Sequence, residues 1–328
     1  MKRENLMKIG NTELEYGLCL APMAGYTDRA MRIVAHKYGA EYSVSEMISA
    51  KAVVFGDKKT HKLAEISEGE GNVALQLFGS EPSVMAEAAA MLEGGECGFI
   101  SPVAIDINMG CPVHKIFSNG EGSALMRSPD LIYRIVSATV AATRLPVTVK
   151  LRLGIDERSI NVKECAIAAE GGGAVAVCIH GRTQKQMYSG SASYEKIAEV
   201  VDALKIPVIA NGDITDSEKA LYVLKSTGAS AIAIGRGAVG NPFVFSKIRA
   251  ALAGKAYTPP TLAERVDTAL MQLRLATEFN GEEIAVREAR KQIALYLSGF
   301  RGAAAVRAKI NTATTYAEAE AAMRSVLE

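Results

Sequence analysis

Eight short apolar runs separated by helical patterns between Leu18 and Gly237, followed from Leu262 by helical patterns alone, predict an α/β chain. The expected architecture is a (β/α)8 TIM barrel followed by a small all-α helical-bundle domain. Most of the runs are continuous rather than alternating, as strands buried on both faces require. An open doubly wound sheet is the competing fold, but no G-x-G-x-x-G fingerprint follows the first run.

The expected strands cover 18–23, 42–47, 73–78, 104–109, 147–153, 174–180, 208–211 and 231–234. Between them, Ser80 is an N-cap candidate for a helix over 82–92, with alanines and Met85 at helical spacing. Ser128-Pro129-Asp130 opens a helix to about residue 143 with proline at its first position. Asp216-Ser217-Glu218 opens another that ends near Gly228, and one more begins near Asn241-Pro242. The glycine-rich connection 94–102 reads as a surface loop at the N-terminal end of the barrel. KAYTPP at 255–260 reads as a linker, so the expected units are a barrel over 1–250 and a helical unit over 251–328. Helices are expected over 262–278, 282–298, 302–311 and 316–328.

A chain of 328 residues buries roughly three quarters of its unfolded surface and needs no disulfide or metal staple. Its net charge of +1 excludes a polycation that binds nucleic acid by bulk charge, so any such binding needs a local patch. The five cysteines, Cys19, Cys97, Cys111, Cys165 and Cys178, form no C-x-x-C pair. That argues against a zinc ribbon and a disulfide framework. The N-terminal segment is polar and charged, and no apolar run is long enough to span a bilayer, so a cytoplasmic protein with no membrane partner is expected.

In a β/α barrel the chemistry sits at the C-terminal ends of the strands. The residues there are Pro22-Met23-Ala24, Glu46, Gln76, Asn108 with Cys111, Lys150 with Arg152, His180 with Arg182, Asn211-Gly212-Asp213 and Gly235-Arg236. Any one of them alone has a bland explanation, such as a turn cap, a snorkelling lysine or a buried imidazole. Convergence on one rim is harder to explain as packing. The fourth run ends on Asn108-Met109-Gly110-Cys111-Pro112, which places one thiol on a short, stiff turn, with Asp106 and Asn108 on one strand face. The loops after the last two strands carry Gly212 and Gly235 beside Arg236, a pattern suited to a phosphate, and the helix near Asn241-Pro242 would point its N-terminus the same way.

These residues carry a family resemblance. Ala21-Pro22-Met23-Ala24-Gly25, Ser45-Glu46-Met47, the Asp106–Pro112 run and Gly122-Ser123-Ala124-Leu125 resemble the flavin-dependent tRNA-dihydrouridine synthases. So do Val149-Lys150-Leu151-Arg152, Ile179-His180-Gly181-Arg182-Thr183, Ile209-Ala210-Asn211-Gly212-Asp213-Ile214 and Ile234-Gly235-Arg236. The likeness spans nearly the whole chain and is nearest to the bacterial B-type branch. It implies an FMN enzyme reduced by NADPH that acts on tRNA. Carried over by position, Pro22, Met23 and Ala24 line the flavin, Gln76 and Lys150 contact its ring system, and His180 lies close to it. Asn211, Gly212, Asp213, Gly235 and Arg236 hold its phosphate. Cys111 is the proton donor, and Asn108 and Arg182 face the substrate.

The roles suit the reaction, which saturates the C5=C6 bond of uracil with a hydride at C6 and a proton at C5. A thiol is mostly protonated at neutral pH and able to donate. Asn108 matches an imide edge, and a cation at Lys150 stabilises an anionic reduced ring. The target base must be flipped out to reach a barrel floor. Between Arg287 and Lys309 six basic residues face one acid, and Arg287, Arg290 and Lys291 share a helix face, which suits phosphate contacts. The chain departs from the family in carrying Gln292 after Arg290-Lys291, where members often carry histidine, and in having no tryptophan. Two other readings stand beside this one. An FMN barrel acting on a free pyrimidine would not need the basic helical unit, and a silent RNA-binding protein would not need Cys111, Asn108, Lys150 and His180 together.

Overall fold

Alternation along the short strands decides which side chains face helices and which face inward, and it does so here with little deviation. The structure is a computed structural model that describes residues 7–93 and 100–328. A two-stranded antiparallel hairpin, β1 (Met7–Ile9) and β2 (Thr12–Leu14), precedes the barrel. The barrel strands are β3 (Leu18–Leu20), β4 (Tyr42–Ser49), β5 (Asn72–Phe78), β6 (Ala104–Met109), β7 (Val147–Leu151), β8 (Ala176–His180), β9 (Val208–Asn211) and β10 (Ala231–Ile234). All eight pair in parallel in chain order, and β10 closes on β3.

Each expected strand is present; β6, β9 and β10 keep the expected ends and the other five shift. β3 stops at Leu20, since Pro22 has no N–H to continue the ladder. β4 runs on to Ser49 through a register shift between Val44 and Met47. On β6, Ile105, Ile107 and Met109 pack outward in the core shared with the helices. Ala104, Asp106 and Asn108 take the alternate, inward face. The same parity turns Gln76, Lys150, His180 and Asn211 into the lumen. The hairpin was not legible in the sequence. Met7, Ile9 and Leu14 pack with Cys19, Ala74, Ala104, Ala176 and Ala231 of the lumen, so the hairpin seals the floor of the barrel.

The surrounding helices are α1 (Arg29–Lys37), α2 (Ala50–Val54), α3 (Lys58–Leu63), α4 (Pro82–Glu93), α5 (His114–Ser118), α6 (Pro129–Ala142), α7 (Val162–Gly171), α8 (Tyr194–Val201), α9 (Ser217–Thr227) and α10 (Phe243–Leu252). Ser128 caps α6 through Leu131 N at 3.3 Å and Asp216 caps α9 through Lys219 N at 2.8 Å, as the sequence predicts. α4 differs: it begins at Pro82, directly after Glu81, which leaves Ser80 one residue outside the cap position. The glycine-rich connection expected over 94–102 falls largely outside the described residues.

Residues 255–260 carry no regular structure. After them come α11 (Leu262–Asn280), α12 (Glu282–Ile293), α13 (Ala303–Thr312) and α14 (Tyr316–Arg324). The helix expected over 282–298 is broken: α12 ends at Ile293 and a short 3-10 turn covers Ala294–Leu297. Val266, Leu273, Ile293, Tyr296, Ile310 and Met323 form a second core separate from that of the barrel. The two parts are tied by Tyr38 Oη and Thr268 Oγ1 at 2.7 Å and by Arg29 stacked 4.3 Å over the Phe279 ring. Among the described residues no helix is long and apolar enough to cross a membrane.

Candidate active site

The turn after β6 is tied from several sides. Asn108 Oδ1 accepts from Gly110 N at 3.1 Å and from Cys111 N at 2.9 Å. Ser123 N and Oγ both donate to the Cys111 carbonyl, at 3.1 and 2.8 Å. Gln184 Nε2 donates to Pro112 O at 3.0 Å, and Arg152 Nε to Gly110 O at 2.9 Å. Gly122 is required behind this turn: its φ is +59°, and a Cβ there would lie 3.0 Å from Cys111 Cβ. The Cys111 side chain is half-buried. Burial pushes its thiol above the ordinary value, against the opposing pull of the Val113 N–H and the Arg152 charge. The group therefore carries its proton at neutral pH.

Beneath it a line of side chains crosses three strands. Asn108 Nδ2 donates to Gln76 Oε1 at 2.8 Å, and Gln76 Nε2 donates to Asp106 Oδ2 at 2.7 Å. Thr148 Oγ1 donates to Asp106 Oδ1 at 2.5 Å. Burial raises the Asp106 carboxyl, while Thr148, Gln76 and the Lys150 charge draw it down. Asp106 has a structural role in the barrel interior as the terminus of the line that orients both amides.

On the neighbouring strand β7 the buried Lys150 ammonium, in register with Asn108, donates to Asn211 Oδ1 at 3.1 Å, and Asn211 Nδ2 donates to Ala233 O at 2.7 Å. Among the described residues Lys150 makes no ion pair. Desolvation lowers its pKa, and Arg152 adds to that. His180 is pushed strongly down, first by burial and then by Lys150, Arg152, Arg182 and Arg236, so its imidazole is neutral. A buried cation with no ion-pair partner among the described residues, in a field where Arg152, Arg182 and Arg236 add positive charge, is a place suited to a negatively charged guest.

The loops after β9 and β10 close this side. Gly212 has φ +126°, and a Cβ there would come 2.8 Å from Ala192 Cβ. Asp213 follows with φ +53°. Both carboxylate oxygens of Asp213 pair with Arg182, each at 2.8 Å, and Oδ2 also accepts from Ala192 N at 2.9 Å. Arg236 is exposed, 3.5 Å from Asp213 Oδ1, with its guanidinium 4.5 Å over the Tyr188 ring.

Several expected roles change. Arg182 is buried and gives its N–H groups to Asp213, to Ser189 O at 3.0 Å, to Gly190 O at 2.7 Å and towards His180 Nε2 at 3.4 Å. No donor is left for a substrate, so Arg182 fixes the loop after β8. Asn211 has both ends of its amide engaged and positions Lys150. The Asp213 carboxylate would repel a phosphate, so only its backbone can serve one. The segment before α10 packs instead on the helical unit, since a Cβ at Gly240 would meet Leu295 Cβ at 2.4 Å. Arg290 donates twice to Ala313 O, at 3.2 and 2.5 Å, and ties α12 to the end of α13.

Lys291 turns the other way, towards the barrel mouth, 4.8 Å over the Tyr26 ring, and Gln292 Nε2 reaches Gly25 O at 3.5 Å. Arg287 stays exposed. Pro22, Met23 and Ala24 form the lip after β3, where Met23 N donates to Thr27 Oγ1 at 3.0 Å and Met23 Sδ lies against Gly235. Arg152 ties the turn to the loop after β8 through Gly110 O, Thr183 O and Met187 O, each at 2.9 Å. Arg152 was legible, two residues past Lys150, whereas Tyr188 lies on a loop without a pattern.

A family model described as dihydrouridine synthase (Dus) matches residues 19–328. The chain belongs to the dihydrouridine synthase family. A probable tRNA-dihydrouridine synthase of Rickettsia conorii is 40% identical over 308 residues, 93% of this chain and 92% of that protein. The tRNA-dihydrouridine synthase B of Vibrio cholerae is 42% identical over 312 residues, 94% and 95% of the two chains. Two solved structures share the barrel of this dihydrouridine synthase. Histamine dehydrogenase from Rhizobium sp. 4-9 has a TM-score of 0.57 at 12% identity, covering 87% of this chain and 50% of that one. The old yellow enzyme homologue from Zymomonas mobilis has 0.51 at 13%, covering 80% and 95%.

Proposed function

We propose that this dihydrouridine synthase reduces the C5=C6 bond of uridine in tRNA to 5,6-dihydrouridine, with FMN as cofactor and NADPH as reductant. The observation that carries the reading is the protonated Cys111 thiol on its fixed turn, at the same barrel mouth as the buried Lys150 ammonium, which has no ion-pair partner among the described residues. The residues fit FMN. Lys150 is a buried cation able to meet the electron-rich edge of a flavin ring, and Gln76 lines the same lumen from β5. Pro22, Met23 and Ala24 offer an apolar lip. Gly212 with the Asp213 backbone, Gly235 and the exposed Arg236 offer a cradle for a phosphate. A neutral His180 adds a hydrogen-bonding group there without further charge. Bound FMN would supply hydride to C6.

The chain's own part is to hold and protonate. Cys111 gives its proton to C5 and leaves as a thiolate, which the Arg152 charge and the Val113 N–H favour. Asn108, expected to read the substrate, spends Oδ1 on the Gly110 and Cys111 N–H groups and Nδ2 on Gln76, so its part is to position the thiol. The unit over 251–328 holds the RNA, with Lys291 and Arg287 as phosphate contacts. The relatives named for tRNA span both units, which favours this reading over reduction of a free pyrimidine. Mass-spectrometric mapping of dihydrouridine in tRNA from cells lacking and regaining the gene tests it. Unchanged dihydrouridine, or protein that takes up no FMN, would sink it.

A further inference from the structure

The insertion between β4 and β5 carries a feature that the site does not use. α2 and α3 form a tight helical pair that leaves the end of β4 directly, with Ser49 Oγ capping α2 through Ala52 N at 3.3 Å. The insertion therefore stands on the same rim as Cys111. α2 closes on itself at Phe55, whose N–H donates to Lys51 O, and Asp57 opens α3 by accepting from Thr60 N at 3.1 Å. Between them Gly56 adopts φ +70° with nothing within 4 Å of a Cβ built there. The result is a Phe55 ring that is 84% exposed.

The charge around the ring is one-sided. Lys51, Lys58, Lys59 and Lys62 lie in the span 50–63 with one acid, Asp57, whose carboxylate is engaged in the cap. Lys58 and Lys62 are exposed, lie at i and i+4 on one helix face, and form no ion pair among the described residues.

The location links the two parts of the proposed machinery. Lys51 pairs with Glu81 at 2.7 Å and feels the charge of Glu121, the residue before Gly122 behind Cys111. On the far side Glu65 pairs with Arg29 at 2.7 Å, and Arg29 stacks on Phe279 of α11. The Phe55 turn thus lies between the Cys111 loop and the helical unit.

We propose that this turn is a second RNA-binding surface, in which an unpaired nucleobase of the tRNA stacks on Phe55 while Lys58 and Lys62 meet the flanking phosphates. This rests on tRNA being the substrate. An exposed aromatic beside Lys58 and Lys62, which form no ion pair among the described residues, is the composition of a single-strand stacking platform, whereas protein-binding surfaces are depleted in lysine. Phe55 stands on the insertion after β4 and Cys111 on the turn after β6, so the proposed stacked base is a neighbour of the target and not the target itself.

The test uses the full-length, FMN-loaded protein and tRNA transcripts, with binding followed by fluorescence anisotropy across a salt series. Phe55→Ala is expected to weaken binding roughly tenfold, with Phe55→Trp restoring it and Phe55→Leu not. Lys58→Glu with Lys62→Glu should lower the salt slope by about 2. Equal flavin absorbance in all variants reports an intact fold. Binding of Phe55→Ala within twofold of wild type overturns the proposal, as does a shift from dimer to monomer on light scattering, which would make the turn a self-association surface. Failure of the wild type to bind or modify tRNA is a separate outcome, which removes the substrate reading and this proposal together.

Discussion

Asn108 holds Cys111 by its backbone: a single side-chain oxygen accepts the Cys111 N–H at 2.9 Å, while the amide nitrogen of Asn108 is anchored on Gln76 at 2.8 Å. The thiol is therefore aimed by a line of groups that ends at Asp106 on the same strand. Asp106→Asn replaces an acceptor by an amide that can also donate, which frees Gln76 to turn over. Loss of a hydrogen bond to a charged group costs about 1.5–3 kcal/mol. The expected outcome is a lower melting temperature and a fall of roughly tenfold or more in single-turnover dihydrouridine formation, with FMN still bound.

The thiol itself gives a pH signature. Proton donation needs Cys111 protonated, and burial raises its pKa. The rate of dihydrouridine formation should be flat through neutral pH and fall only as pH rises through the elevated thiol value. Cys111→Ala should reduce the rate roughly 10²- to 10⁴-fold. A Cys111→Ala enzyme with full turnover on tRNA would refute the assignment.

Arg182 and Asp213 give a stability signature. Burial acts to raise Asp213, but Arg182 and the Ala192 N–H outweigh it and hold the carboxylate below its ordinary 3.8. A depressed folded pKa means stability that is present above pH 4 and lost as pH falls through the folded value. Arg182→Met should flatten this acid limb. It should also cost about 3–5 kcal/mol at neutral pH by stranding a partly buried carboxylate, read by chemical denaturation.

Asp28 runs with the opposite sign. It caps α1 through Met31 N at 2.8 Å, yet burial, with Glu46 and Glu288 nearby, lifts its carboxyl from 3.8 to about 6. Its ionised form costs stability above that pH and nothing below pH 4. Asparagine caps a helix as well as aspartate. Asp28→Asn should therefore raise the melting temperature at pH 8, by about 1–3 kcal/mol of stability, and leave it unchanged at pH 3.5.

Much of this was legible because strand parity does the placing. Once β6 and β7 are drawn as buried parallel strands, Asn108 and Lys150 must share the lumen. What parity does not show is which polar atoms satisfy one another. Arg182 and Asn211 looked like ligands because their positions were right. Only the geometry shows that neighbours already occupy their donors. Arg290 and Lys291 are adjacent in sequence, but one reaches to Ala313 and the other to Tyr26, a divergence that helix spacing alone does not reveal. The β1–β2 hairpin escaped because three-residue strands carry too little periodicity.

That hairpin has a kinetic consequence. With Met7, Ile9 and Leu14 filling the lower lumen, the barrel is a vessel with one opening. If the flavin is reduced by a nicotinamide donor as proposed, that donor and the nucleotide acceptor enter by the same doorway, one leaving before the other arrives. Such an enzyme shows parallel lines in double-reciprocal plots, and each reactant at high concentration inhibits by occupying the other's turn.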